Sequence, residues 1–193
     1  PIDLKVGFDH RAGGAAAVRF LIEMGHRRIG HLTVRTDPRS ARRLEGFLKE
    51  MYDHGLSTEG MVAASPFSTS VQRGSELFAE LIERRPDITA VFTCNDDLAL
   101  GALFECQRRG IRVPQDVSII GFNDLDFGQS AVPSLSSVST ERRKVGTWAA
   151  EAIVEIIRGS GRRPRQTTVD MGLRIEARGS TAPLKAPKRK KPD

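Results

Sequence analysis

The feature that most constrains this chain is an alternation of strand-like and helix-like stretches, recurring about every thirty residues. Leu4 to Phe8 reads as a short strand, and Ala16, Ala17, Phe20, Leu21 and Met24 then recur at helical spacing until Gly25 closes the helix. Arg28 to Val34 gives the next strand. Asp37-Pro38 comes next as an N-cap with proline in the first helical position, ahead of the stripe Leu44, Phe47, Leu48 and Met51. Met61 to Ala64 is a weaker strand. Val71, Gly74, Leu77, Phe78, Leu81 and Ile82 mark a helix that stops before Pro86. Ala90 to Cys94, the helix Asp97 to Arg109 closed by Gly110, and Ser118 to Phe122 repeat the unit. After a looser stretch, Val145, Trp148, Ala149, Ala152, Ile153 and Ile156 mark a last amphipathic helix, and Thr167 to Arg178 offers one or two strands. Such units join by right-handed crossovers, so the expected fold class is α/β with a doubly wound, mostly parallel sheet. The continuous apolar runs at 90–94 and 118–122 fit strands covered on both faces.

Bulk properties narrow the function classes. The chain has 193 residues, 39% of them hydrophobic and 28% charged, which are globular values. No apolar run approaches the ~20 residues of a membrane span, and the first eight residues lack the regions of a signal peptide. The expectation is a soluble, cytoplasmic protein without membrane contact. The net charge is +6, but five cations and one acid fall in the last nine residues, which leaves +2 for the rest. The basic, proline-containing end reads as a solvated tail rather than a nucleic-acid arm. Cys94 and Cys106 read as small buried side chains, and His10, His26, His31 and His54 are scattered without a nucleophile or metal-ligand spacing. No cofactor, metal site or catalytic set is expected.

Ligands of open α/β sheets bind beyond the carboxyl ends of the strands. The residues just after each strand are therefore informative: Phe8, Asp9 and His10; Thr36 to Arg43 with its arginines; Ser65 to Ser70; Asn95 and Asp96; Asn123 and Asp124. An aromatic ring, an arginine cluster, two amides, acids and hydroxyls on one edge suit a sugar-like ligand. Gly13-Gly14 is too short for a phosphate-binding glycine loop. Bland readings stand beside each of these. Asn95 can cap the next helix, Asn123-Asp124 can form a turn, and Phe8 can be core. Arg39, Arg42 and Arg43 can lie on a solvated helix face paired with Glu45 or Glu50. Asp96 with Asp124 admits a hydrolytic enzyme, though nothing fixes an acid–base pair.

Several segments together resemble the LacI/GalR family of transcriptional regulators. They are Gly13 to Leu32 with Phe20-Leu-Ile-Glu-Met-Gly-His-Arg-Arg-Ile-Gly-His-Leu32, Arg42-Arg-Leu-Glu-Gly-Phe47, Cys94 to Ala102, Val113 to Asp124 and Pro133 to Val138. The resemblance spans about residues 4 to 182, and the stretches 97–110 and 121–125 resemble the gluconate-repressor branch.

The resemblance implies a periplasmic-binding-protein-like, two-lobed effector domain, present mainly as its C-terminal subdomain. By motif, Arg43 matches the effector-binding arginine, Asn95 the effector-binding asparagine and Asn123 the polar residue after Gly-Phe, a position often held by aspartate. Phe8 falls where members face the effector with an aromatic or acid, and Asp9, Phe67, Thr69 and Asp124 are further candidates. Expected partners are a sugar or sugar-acid effector, a second copy of the chain through the helix 97–109 and Phe127 to Val132, and operator DNA through an N-terminal headpiece. That headpiece and the first half of the first lobe are missing from the family pattern here. The implied division is a crossover strand at 1–8, the second subdomain at 9–138, a crossover helix and strand of the first subdomain at 139–171, a return strand at 172–183 and a basic disordered tail at 184–193. A solute receptor of the same fold, with no DNA role, is the alternative.

Overall fold

The computed structural model describes residues 4–158 and 168–184. The tail from residue 185 onward, the chain before residue 4 and the stretch 159–167 lie outside the described residues. The elements run β1 (Lys5–Gly7), α1 (His10–Glu23), β2 (Ile29–Val34), α2 (Pro38–Asp53), β3 (Val62–Ser65), α3 (Val71–Arg84) and β4 (Ala90–Thr93). Next come α4 (Asp96–Arg109), β5 (Ser118–Asn123), α5 (Phe127–Ser130), β6 (Ser136–Ser139), α6 (Arg142–Arg158), β7 (Thr168–Asp170) and β8 (Arg174–Glu176).

Six strands form one sheet in the order β3-β2-β4-β5-β6-β8, parallel except for β8, which runs antiparallel to β6. β1 and β7 form a separate parallel pair. β2 has β3 on one side and β4 on the other, so the chain reverses its direction of travel across the sheet there. The carboxyl ends of β2 and β4 therefore flank the topological switch point, the usual crevice of such sheets. The two helix layers cover opposite faces. A Cβ on Gly121 would meet Asp96 and Ala99 of α4, whereas the ring of the next residue, Phe122, lies against Gly13 of α1.

Glycine sets how closely the helices pair. A Cβ on Gly14 would overlap the carbonyl of Arg43, and one on Gly46 would overlap the carbonyl of Arg11, so α1 and α2 touch backbone to backbone. Gly74 against Leu98 and Gly101 against Val71 repeat the device between α3 and α4, where Ser75 Oγ also donates to the Gly101 carbonyl at 2.8 Å.

The stretch that reads as loose in the sequence contains α5 and the fully buried strand β6. Its Ser136-Ser-Val-Ser carries no apolar run, and hydroxyl bonds replace apolar burial. Ser137 Oγ donates to Asp96 Oδ1 at 2.7 Å, and Ser136 Oγ lies 2.8 Å from Thr181 Oγ1 and accepts from Arg178 N at 2.8 Å. The chain after β8 then laces the sheet to the far end of α1. Ile119 N donates to Ser180 O at 2.8 Å, His26 Nε2 lies 3.1 Å from Ala182 O, and Leu184 N donates to Met24 O at 2.8 Å.

In the centre, His31 of β2 stacks between Phe47 and Phe92, with ring centroids 5.0 and 4.7 Å away. Its Nδ1–H donates to the Phe92 carbonyl at 3.0 Å, while Nε2 has no partner among the described residues. Burial drives its pKa down to about 3, with Arg43 adding to the effect. In the unfolded chain the ring binds a proton below about pH 6.5. Stability must therefore fall as pH drops from 6.5 toward 3.

Two expectations result. Gly→Ala inside a helix ordinarily stabilises by up to about 1 kcal/mol. At Gly146 of α6, where nothing among the described residues crowds a Cβ, Ala should do so. At Gly46, Ala should instead cost about 1–3 kcal/mol by prising α1 from α2. Urea unfolding of both variants checks the opposite signs. Second, His31 should remove about 2 kcal/mol of stability between pH 6.5 and 5. Urea midpoints should show this slope flattened in His31→Phe; an unchanged slope would mean that the ring titrates normally.

Candidate functional site

Two adjoining clefts open at the carboxyl ends of β2 and β4. The smaller, about 380 Å³, lies among Thr36, Asp37, Ser40, Thr69, Asn95 and Asn123, with Arg43 in its wall. The larger, about 680 Å³, lies between this edge and the β1–β7 pair, with Phe8, Asp9, His10, Arg42 and Arg142 in its lining. Arg39, Arg43 and Asn123 belong to both.

Arg43 is the focus. It sits one turn into α2 because Asp37 caps that helix, accepting from Arg39 N at 3.0 Å. It is only 4% exposed. Its guanidinium lies 3.8 Å above the Phe122 ring, Nε–H donates to His10 Nδ1 at 3.2 Å, and Nη1 donates to the Cys94 carbonyl. Among the described residues no carboxylate lies within ion-pair distance of it. Burial lowers its pKa to about 10, so it remains cationic at neutral pH. Glu45 and Glu50 do not pair with the arginines of α2; they reach across to Arg11 and Arg19 of α1.

Asn95 performs two tasks. Its Oδ1 accepts from Leu98 N at 3.1 Å and caps α4, while the residue also lines the smaller cleft. The helix begins one residue earlier than its sequence pattern indicates, at Asp96, whose carboxylate is wholly buried. Asp96 accepts from Leu125 N and Ser137 Oγ, both at 2.7 Å, and burial raises its pKa. It is a structural tie between α4, the end of β5 and β6. Asn123 and Asp124 both have positive φ, 110° and 55°, a region that Asn and Asp tolerate better than other side chains.

Of the further candidates, Thr69 lines the smaller cleft, and Asp9 lines the larger one while capping α1 through Arg11 N. Phe67 is 61% exposed and lies under Arg73, 5.0 Å from ring centroid to guanidinium, outside both linings. Asp124 is drawn away from both clefts by Arg178, 2.7 Å from its Oδ1. Phe8 is half-buried; its ring meets His10 edge-on at 4.5 Å and lies 6.0 Å from Phe122. Thr36, Ser40 and His10, present in the post-strand stretches of the sequence but not singled out there, also line the clefts, and no spacing links them to Arg43.

The linings hold the cations Lys5, Arg39, Arg42, Arg43 and Arg142 against Asp9, Asp37 and Asp170. All three acids are engaged, Asp9 and Asp37 as helix caps and Asp170 by Gly172 N at 2.8 Å. No group of His, Cys, Asp and Glu suited to a metal ion occurs among the described residues, and no helix among them is long and apolar enough to cross a membrane. Chemically, this mixture of cations, amides and hydroxyls can bond an oxygen-rich or anionic small molecule.

Known proteins share this fold. A family model described as a periplasmic binding protein-like domain matches residues 18–181. The HTH-type transcriptional regulator GntR of Pseudomonas aeruginosa is 40% identical over 176 residues, which are 91% of this chain and 51% of the relative. The HTH-type transcriptional regulator IdnR of Escherichia coli is 34% identical over 90% of this chain and 52% of its own length. The chain thus spans about half the length of these curated relatives. The crystal structure of the transcription regulator GntR from Chromobacterium violaceum superposes with a TM-score of 0.86 at 38% identity, over 91% of this chain and 64% of that one. The complex of the transcriptional regulator CelR with cellobiose gives 0.79 at 30% identity, over 93% and 54%. The chain belongs to the periplasmic binding protein-like domain family, and these relatives and structural neighbours are transcriptional regulators.

Proposed function

We propose that this chain is the effector-sensing part of a LacI-type transcription regulator, with a sugar acid or a similar polyhydroxylated anion as its effector. One observation carries the reading: a buried guanidinium, fixed on three sides and without a carboxylate partner among the described residues, opens on the cleft at the switch point. A carboxylate or phosphate meets such a fork with charge-assisted bonds. Asn95 and Asn123 supply amides for hydroxyls, and Phe8 supplies an apolar face in the neighbouring cleft. The cations around both openings favour an anion over a neutral sugar. No side chain is assigned a catalytic role.

The two clefts meet between the six-stranded sheet and the β1–β7 pair, which fits two lobes: residues 9–138 as one, with 1–8 and 139–171 belonging to the other and 172–183 returning. An effector bound between lobes favours one lobe arrangement, and linkage carries that preference to a DNA-binding headpiece outside these residues. Such a regulator works in the cytoplasm, where its operator is. A groove along α4, lined by Leu103, Phe104, Gln107, Phe127 and the 78%-exposed Val132, is the contact proposed for a homodimer.

Two measurements test this reading. Thermal unfolding of the chain against gluconate, glucose, cellobiose and sugar phosphates should show a shift with an acid or phosphate. Stabilisation is about 2.7 kcal/mol at a hundredfold excess over Kd. Arg43→Lys keeps the charge but loses the fork, and should abolish most of the shift; a shift with neutral sugars alone, retained in Arg43→Lys, would sink the assignment. In sedimentation velocity, Phe104→Glu should yield monomer where the parent chain is dimeric; a monomeric parent refutes the α4 contact.

A further inference from the structure

The group that fixes the Arg43 guanidinium from the side is an imidazole, and that contact determines how the imidazole is protonated. An arginine Nε–H only donates, so the ring nitrogen it meets must present a lone pair. His10 Nδ1, 3.2 Å from Arg43 Nε, is therefore unprotonated. A neutral ring then carries its hydrogen on Nε2. The surroundings keep it neutral. Burial lowers the His10 pKa to about 4, helped by Arg43, Arg39 and Arg42 and opposed by Asp37.

Packing fixes the ring as well. Phe8 meets it edge-on at 4.5 Å, and Phe122 lies roughly parallel to it, at 6.2 Å and 27°. Phe122 also carries the guanidinium of Arg43, so one aromatic ring supports both groups. The backbone is held too: His10 is the first residue of α1, directly after the Asp9 cap. Nε2–H finds no acceptor among the described residues, while the ring lines the larger cleft. On the other side of the contact, Arg43 has given Nε–H to His10 and one Nη1–H to Cys94, and its remaining N–H groups have no protein acceptor among the described residues.

We propose that His10 is a positioning and specificity residue of this cleft: it orients Arg43 through Nδ1 and presents Nε2–H as a neutral donor to a ligand oxygen. The proposal rests on the effector reading above and deepens it. The ligand it selects has an oxyanion for the Arg43 fork and, beside it, an oxygen that accepts a hydrogen bond, as the hydroxyl next to a sugar-acid carboxylate does. A donor that is not charged distinguishes such a neighbour from a second anionic group.

The first test needs no ligand. Long-range ¹⁵N–¹H spectra of the full chain report each imidazole tautomer. His10 should be locked with its proton on Nε2 at pH 7, should stay neutral down to pH 5, and should revert toward a mixture in Arg43→Lys. A proton on Nδ1, or titration near the ordinary histidine value, overturns the proposal. The second test is calorimetric titration with gluconate, with glucose as the uncharged probe, on variants whose folding is checked by circular dichroism. His10→Gln retains an acceptor and a donor and should bind within a few fold of the parent. His10→Phe retains only the ring packing and should lose on the order of tenfold. Equal binding by His10→Phe overturns the donor role. Failure of the parent chain to bind any acid overturns the effector reading instead, and the tautomer result still decides the coupling of His10 to Arg43.

Discussion

The separation of α1 from α2 is the constraint on which the site depends. Gly14 and Gly46 let the two backbones touch, and Arg43 is the residue whose carbonyl faces Gly14. Only at that distance do His10, at the start of one helix, and Arg43, in the second turn of the other, share a hydrogen bond. The third party, Phe122, comes from the sheet below and again meets a glycine, Gly13, on its helix side. Three glycines in two helices thus set the geometry of one cation. The cost in helix propensity, about 1 kcal/mol per glycine, is offset by close packing rather than by local conformational preference.

A second constraint is the buried carboxylate of Asp96. It lies at the first turn of α4, where the helix dipole favours an anion. It reaches a backbone N–H after β5 and a hydroxyl of β6. Gly121 has no Cβ because this carboxylate occupies that space. The same helix start therefore presents Asn95 to the cleft and ties down the loop that bears Asn123. The two amides of the site are held by one polar joint. Its strength comes from low dielectric surroundings, in which an unpartnered charge would be costly.

Much of this was legible in the sequence. Apolar periodicity marked the strands and helices of the central unit, and turn chemistry placed their ends at Asp37, Asn95 and Gly110. The strand β6 was not visible, because its inward positions are serines whose partners lie some forty residues away, at Arg178 and Thr181. The arginines of α2 were ambiguous for a related reason. Glu45 and Glu50 sit at plausible helical spacing, yet they pair with α1, and nothing local reveals that. Only the family motif singled out Arg43. For the loop after β3, composition could not choose between Phe67 and Thr69; the backbone turns Thr69 toward the cleft and leaves Phe67 beside Arg73. His10 needed coordinates, since its meaning lies in a contact across thirty-three residues.

The lacing of the last described segment along the sheet has a consequence for how the lobe is made. Ser180, Ala182 and Leu184 bond to Ile119, Ser118, His26 and Met24, joining the last described segment to β5 and to the end of α1. Contacts of such sequence separation form late and slowly. On the ribosome, residues 10–139 can collapse into their layers, but the seam beside β5 and β6 stays wet until residues 174–184 have emerged. The nascent lobe therefore waits with buried-type serines exposed rather than a greasy edge. A hydroxyl-lined gap tolerates that interval in water better than an apolar one would.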